Sequence, residues 1–424
     1  MKLLEPENSN YAAQVVEIKS LTDLAGCDNV VGTPLLGFQA IVGKDTEQGD
    51  LGIVFTAETQ LSEEYARKNN LHRHGNLNDN EGSKGYLEDN RRVRAMKFRG
   101  HRSDALFMPL ESLSYIKNLD ITQFKVGDTF DKIGDSEICK KYVLPRTRRE
   151  QRIEKNKEKF VRVDKKFLPE HYDTDNYFRN TEVISTGRWV TITQKLHGTS
   201  IRIGNTVVAR KLSWRDKVAK RAGVKVADTE MDYVFGSRKV IKDINNPNQN
   251  HFYNSDIWTE EGAKLSGSLP ENFLVYGELV GWTKEGAPLQ KNYTYQVPNR
   301  TCDLYVYRVA FVNNQGIVTD LSWEQTKEFC HDRGLNTVPE LYSGPMPTEE
   351  EIVSEYIDKR FHEEGYAGAV PLDKESPVDE GICIRVDMLA PYILKAKGEK
   401  FYAHESAMID EEAEDLEVEG STTE

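Results

Sequence analysis

The stretch Trp189-Val-Thr-Ile-Thr-Gln-Lys195-Leu-His-Gly-Thr-Ser200 constrains this chain more than any other. Its first six residues are largely apolar or β-branched and make a short strand, which ends in a lysine and a turn containing Gly198. A lysine presented at a strand end beside a glycine turn is placed to act as a covalent nucleophile. Such chemistry needs further groups downstream in a fixed order.

The chain has 424 residues, enough for two domains or three. No run of eighteen apolar residues occurs, so no membrane-spanning helix is expected. The N-terminus lacks the apolar core of a secretory signal. Cys27, Cys139, Cys302, Cys330 and Cys383 are scattered without metal-ligand spacing and suit buried thiols in a reducing compartment. A cytoplasmic location is expected, host cytoplasm if the source is a phage or virus. The formal charge of −13 argues against a polyanion partner, but its distribution does not. Residues 405–424 hold nine acidic side chains and no basic one. Lys140–Lys166 holds twelve Lys/Arg against four Asp/Glu. Local fields steer a polyanion, not totals.

Residues 1–140 are β-rich, with strands expected at Gln14–Lys19, Leu36–Val42 and Leu51–Phe55. A short helix is expected over Ser62–Leu71, capped by Ser62. Arg91–Gly100 alternates, with many basic side chains, and points to a further strand. Several short strands and one helix suggest a small OB-like barrel. Residues 141–166 are a basic linker, either a solvated connector or a phosphate-tracking segment. Residues 167–404 mix strands and helices, with helices expected at Ser322–Asp332 and Thr348–Glu363 behind capping boxes. Residues 405–424 are an acidic tail expected to be disordered.

Nucleotidyl transfer through a lysine requires a neutral amine, cations that offset a triphosphate, a stacking surface for the base and a polar partner for the ribose. The downstream strands supply candidates for each. Glu278 lies in Val275-Tyr-Gly-Glu-Leu-Val-Gly281. Tyr305 and Tyr307 alternate on one strand and share a face. Glu380 lies in Asp379-Glu-Gly-Ile-Cys-Ile-Arg385. Lys395 and Lys397, in Tyr392-Ile-Leu-Lys-Ala-Lys397, again share a face, and an anion between them and solvent would relieve their repulsion.

These five motifs, in this order, resemble those of the ATP-dependent polynucleotide ligases. His197, where DNA ligases and capping enzymes usually carry aspartate, is similar to the RNA ligase branch. A β-rich domain ahead of the catalytic one resembles the RNA ligases with an N-terminal OB domain. The resemblance implies an α+β chain: an N-terminal OB-like β-barrel, then a ligase-type nucleotidyltransferase domain built on antiparallel sheets with flanking helices. It implies ATP as cofactor with Mg²⁺ or Mn²⁺, and RNA as partner, with a nicked duplex or 3′-OH and 5′-phosphate ends as substrate. No membrane partner is expected, and a monomer is. Residue by residue, Lys195 would form lysyl-AMP, Glu278 would hold the ribose, and Tyr307 would stack on adenine with Tyr305 as alternative. Glu380 would help bind the metal, and Lys395 and Lys397 would contact phosphate. Gln194 stands where glutamate is common, and its carbonyl could read the adenine amino group. Arg210 would engage the substrate 5′-phosphate, with Arg238 as rival. Arg92, Arg94, Lys97 and Arg99 would contact nucleic acid. His197 is better suited to packing or hydrogen bonding in the turn than to acid–base work. Tyr307 is followed by Arg308 where relatives have aspartate. A DNA ligase, an mRNA guanylyltransferase and a catalytically silent nucleic-acid-binding module remain alternatives.

Overall fold

A computed structural model describes residues 3–143, 162–242, 253 and 255–410. Its contacts divide the chain into two units. One comprises, of the described residues, 3–143, 175–181 and 398–410. The other comprises 162–174 and 182–397, together with Tyr253.

The first unit is organised around a seven-stranded sheet. In spatial order its strands are Thr129–Phe130, Ala13–Glu17, Leu51–Thr56, Ala105–Pro109, Phe38–Gly43, Val30–Leu35 and Thr22–Asp23. Among the described residues the two outer strands do not pair with each other, so this sheet does not close on itself. Alternation sorts its side chains onto two faces. Val15, Ile53 and Phe55 join one core with Tyr65 and Phe130, while Val16, Val54 and Ala40 join the other with Phe38 and Tyr402. The helix Glu63–Lys68 is capped by Ser62, whose side chain accepts from the Tyr65 N–H. The expected strand over Arg91–Gly100 is shorter. Arg91 has a positive φ, Arg92 makes a lone bridge to Gln60, and regular pairing is confined to Met96–Phe98 with His101–Ser103.

The C-terminal helix Glu399–Asp410 belongs to this first unit. It begins the stretch expected to be a disordered tail, and buries Phe401, Tyr402, Glu405, Ser406 and Ile409. Residues 411–424 lie outside the described residues, as does most of the 141–166 linker.

The second unit contains two antiparallel systems. In one, Tyr392–Lys397, Gly381–Val386, Trp189–Lys195 and Glu340–Pro345 lie side by side. In the other the order is Thr229–Gly236, Thr199–Ala209, Phe273–Gly281, Cys302–Val312 and Val318–Asp320. Apolar residues on both faces of this second sheet explain why its strands read as near-continuous hydrophobic runs. Val275, Leu279, Val306 and Val309 face one core, and Leu274, Tyr276, Ala310 and Val312 the other. The helix Trp323–His331 has the expected capping box of Ser322 and Gln325. The helix expected over Thr348–Glu363 is cut short. Glu349–Glu351 is α-helical, Ile352–Tyr356 widens to a π turn, and Asp358 has φ +56°. Tertiary bonds win there: the Phe361 N–H donates to Asp379, and Arg360 donates to the Ser376 and Asp373 carbonyls.

Candidate active site

Lys195 ends a strand of one sheet and Thr199 begins a strand of the other, so Leu196-His197-Gly198 carries the chain between them. The crossing is tight. A Cβ on Gly198 would lie 2.2 Å from the Leu279 carbonyl oxygen and 3.0 Å from Glu278 Cγ, so the passage admits only glycine. The His197 N–H donates to the Tyr295 hydroxyl at 2.7 Å, and its ring meets Tyr293 edge-on at 5.1 Å. Packing in the turn thus occupies His197.

Register places the charged groups. Lys195 pairs with Gly381, and Gly381 with Lys397, so both lysines stand on one rung with a glycine between them. Glu380 precedes that glycine. Its carboxylate is buried and lies 2.6 Å from Lys195 Nζ, 3.0 Å from Lys397 Nζ and 3.7 Å from His197 Nδ1. Burial alone would raise its pKa, but the two ammonium groups override this and hold it far below the usual carboxylate range. Gly381, at φ +138°, leaves no room for a side chain, since a Cβ would lie 2.0 Å from the Ala396 carbonyl oxygen. Lys395 stands one step along the same face, opposite Cys383.

Alternation also corrects one expectation. Gln194 faces away from Lys195, in register with Ile382, and is 1% exposed. Its side chain donates to Asp379 and to the Val370 carbonyl, and accepts from the Val370 N–H. It is a buried brace whose side-chain carbonyl is taken by the Val370 N–H rather than left open to an adenine amino group. Asp379 is itself pushed up to about 6 by burial, against the hydrogen bonds from Phe361 and Gln194.

On the second sheet Ser200 pairs with Glu278, and its hydroxyl donates to Glu278 Oε2 at 3.1 Å. Glu278 pairs in turn with Tyr305. The ladder then slips: Gly277 pairs with Val306 and Tyr276 with Arg308, leaving Tyr307 as an extra residue. Such a bulge turns two successive side chains to one side. Tyr307 and Arg308 therefore both face the side of Tyr276 and Glu278, and Tyr305 stays with them. Tyr307 touches His171, with ring centroids 4.9 Å apart. Burial raises its hydroxyl above the usual range, with Glu278 adding to the effect. Arg308 sits 4.4 Å from the rings of Tyr172 and Tyr276 and pairs with Asp320, so the departure from aspartate at this position places a cation in the interior.

The two candidate arginines separate by register. Arg202 pairs with both Gly236 and Tyr276, so the chain beyond Gly236 runs toward the level of Ser200 and Glu278. Arg238 lies there, paired with Asp173, and its charge acts on Tyr307 and His171. Arg210 follows the opposite end of the Thr199–Ala209 strand, about 33 Å of extended chain from Ser200. It binds the Ala227 carbonyl and Asp216.

In the first unit, Arg92 is corrected as a nucleic-acid contact. It is 3% exposed and holds Glu58 with two nitrogens, the Ser406 carbonyl and Asp410. Arg94 also reaches Asp410, whereas Lys97 and Arg99 are exposed.

Ser200, Tyr293, Tyr295, Asp379 and His171 complete the surroundings. Of these, Ser200 and Asp379 carried a signal, as members of the lysine and Glu380 motifs. The tyrosines sit in a loop with no periodicity, where Tyr295 takes φ +54° and Asp373 accepts from the Thr294 and Gln296 N–H groups.

A lysine at the junction of two antiparallel sheets, on one rung with a second lysine and sharing its carboxylate, is the arrangement that transfer through a lysine nucleophile requires. Residues 188–397 match the family model described as RNA ligase. A comparison with curated proteins found no match. Among solved structures, the Naegleria gruberi RNA ligase with PPi matches with TM-score 0.58 and 16% identity over 95% of this chain and 99% of that one. Two mutants of that ligase also match. One, with ATP and Mn, gives TM-score 0.59 at 16% identity over 92% and 98% of the two chains. The other, with AMP and Mn, gives 0.58 at 15% over 92% and 98%. At these identities the likeness is one of fold. Among the described residues no helix is long and apolar enough to cross a membrane.

Proposed function

We propose that this RNA ligase joins 3′-OH and 5′-phosphate RNA ends in three steps driven by ATP, in repair of RNA nicks. Lys195 first gives its ammonium proton to solvent; the neutral amine then attacks the α-phosphorus of ATP, a P–N bond forms, the bond to pyrophosphate breaks, and a second proton leaves the nitrogen to solvent. AMP then passes to the RNA 5′-phosphate, freeing the lysine. The 3′-hydroxyl attacks that activated phosphate, loses its proton and expels AMP. The observation that carries this reading is the shared rung of Lys195, Gly381 and Lys397 with Glu380 between the ammonium groups.

Each side chain has a part in positioning or charge. Lys397 and Lys395 would face the triphosphate from the lysine's own sheet. Glu278, fixed by Ser200, would hold the ribose, and Tyr307 or Tyr305 the base. Arg238, rather than Arg210, would engage the 5′-phosphate. Glu380 suits a divalent ion such as Mg²⁺ or Mn²⁺: its carboxylate is ionised, and no hydroxyl or backbone N–H of the described residues bonds to its oxygens. The described residues hold no cluster of three His, Cys, Asp or Glu, so such an ion would keep water and phosphate oxygens as most of its shell. Bound there, it would offset charge on the α-phosphate. The first unit would be an OB-like RNA-holding domain, supported by its many short strands, and the protein would act as a monomer.

Incubation with α-³²P-labelled ATP, and separately GTP, followed by denaturing electrophoresis tests the first step. An acid-labile label from ATP that is absent in Lys195→Ala is expected. No label, on protein whose intact mass shows it is not already adenylylated, would overturn the proposal.

A further inference from the structure

The excursion between the Thr199–Ala209 and Thr229–Gly236 strands has no part in the core. It carries the helix Trp214–Arg221, which buries none of its residues. Trp214 is 70% exposed, Val218 55% and Val224 57%. A helix of eight residues is marginal alone, and this one is held by the Ser213–Asp216 capping box rather than by packing. Residues 210–228 contain seven Lys/Arg and two Asp. Both acids are engaged inside the excursion, Asp216 by Arg210 and Ser213, and Asp228 by Lys220. Lys211, Arg215, Lys217, Arg221 and Lys225 form no ion pair with the described residues. The Arg215 guanidinium lies 5.5 Å from the centre of the Trp214 ring.

Its position gives the excursion a use. The Thr199–Ala209 strand starts at the reaction centre and is paired continuously from Arg202 with Gly236 to Ala209 with Thr229. The helix therefore hangs at the far end of a stiff ribbon, about 30 Å from Ser200. Exposed cations with a flat aromatic among them suit a polyanion that has bases or sugars to stack.

We propose that residues 210–225 form a second RNA contact, remote from the reaction centre. Arg215, Lys217 and Arg221 hold backbone phosphates of the duplex arm beyond the joining point, and Trp214 packs on a sugar or unpaired base. This rests on the RNA ligase reading above. A basic helix with an exposed tryptophan could also meet an anionic lipid surface. Continuity with the reaction centre favours RNA.

The test compares nicked RNA duplexes with long and short arms. An A-form RNA duplex rises less per pair than the roughly 3.4 Å of B-DNA, so a helix about 30 Å from Ser200 is reached only by arms of more than about nine pairs. Binding is measured in the Lys195→Ala background across a salt series, with and without R215A/K217A/R221A and, separately, W214A. The expected result for the triple variant is a Kd for the long-armed duplex at least about tenfold weaker, with the slope of log K against log salt reduced by about 2 to 3. Short-armed duplexes are unaffected. With Lys195 intact, the triple variant forms lysyl-AMP from ATP alone at the unmodified rate, and its melting temperature is unchanged. An unchanged slope, or equal losses on long and short arms, overturns the proposal. So does lost binding to phosphatidylserine vesicles with RNA affinity intact. Absence of lysyl-AMP in the unmodified protein would overturn the ligase reading instead.

Discussion

Replacing Gly381 by alanine tests the rung on which the proposed chemistry depends. The new Cβ would lie 2.0 Å from the Ala396 carbonyl oxygen and 3.0 Å from Lys397 Cα, at a φ of +138°. Holding a non-glycine residue in that region costs about 1–3 kcal/mol. The clash is with backbone, so no side chain can swing aside, and overpacking adds about 1–3 kcal/mol. Together these give roughly 2–6 kcal/mol, which at about 2–4 °C per kcal/mol is a melting shift on the order of 10 °C. Relief requires the Gly381–Val386 and Tyr392–Lys397 strands to part by about 1 Å, a misplacement that costs about a hundredfold in rate when reacting groups are involved. The assay is thermal melting paired with single-turnover lysyl-AMP formation well below the transition. Gly334→Ala is the control: its φ is +63° with nothing within 4 Å of the new Cβ, so only about 1–2 kcal/mol of backbone strain is expected. A Gly381→Ala protein that melts within about 2 °C of the parent and labels at the parent rate would refute the reasoning.

Arg92→Ala leaves Glu58 buried without its partner and is expected to cost about 3–5 kcal/mol in denaturant unfolding, with no change in RNA affinity per folded molecule. Gln194→Ala is expected to lower stability by about 1–3 kcal/mol through the Val370 and Asp379 bonds it breaks, while the preference for ATP over GTP in labelling stays the same. For Asp379, a folded-state pKa raised from 3.8 to about 6 means the folded protein binds more protons than the unfolded chain in that window. Stability therefore falls as pH rises from about 4 to 6, and the cost of about 3 kcal/mol persists above it. The stability difference between parent and Asp379→Asn should shrink by that amount from pH 3.5 to 7, and a difference flat with pH would sink the assignment. Arg238→Ala is expected to leave lysyl-AMP formation intact and slow AMP transfer to a 5′-phosphorylated RNA, whereas Arg210→Ala leaves both steps unchanged; the reverse pattern would restore Arg210.

The parts legible in the sequence were those governed by local rules. Short apolar runs gave the Phe273, Cys302 and Gly381 strands, with ends short by a few residues, and a capping box gave the Trp323–His331 helix. The lysine motif and the paired lysines were visible because each is a short local pattern in the sequence. What escaped depends on pairing across the chain. Gln194 and Lys195 are adjacent letters on opposite faces, and only a buried partner such as Val370 shows which one a ligand meets. The charge of Arg92 looked like part of a basic surface until Glu58, far from it in sequence, was seen to hold it. The bulge at Tyr307 depends on two strands losing step, which neither strand records alone. The choice between Arg210 and Arg238 needed the Arg202–Gly236 register.

The first unit is closed by the last described helix of the chain. Tyr402 joins the core containing Phe38, and the Ser406 hydroxyl donates to Glu58, so residues from both ends of the sequence complete one interior. The ligase span is thus spliced between pieces of its neighbour. During synthesis the N-terminal sheet must wait for nearly the whole chain before that face is covered, and until then Phe38 and Val54 have no lid. Cutting after residue 140 would not free the second unit cleanly, because it would leave Tyr402 without the Phe38 core and Ser406 without Glu58. A second cut after Lys397 would still leave residues 175–181, which belong to the first unit, inside the excised piece.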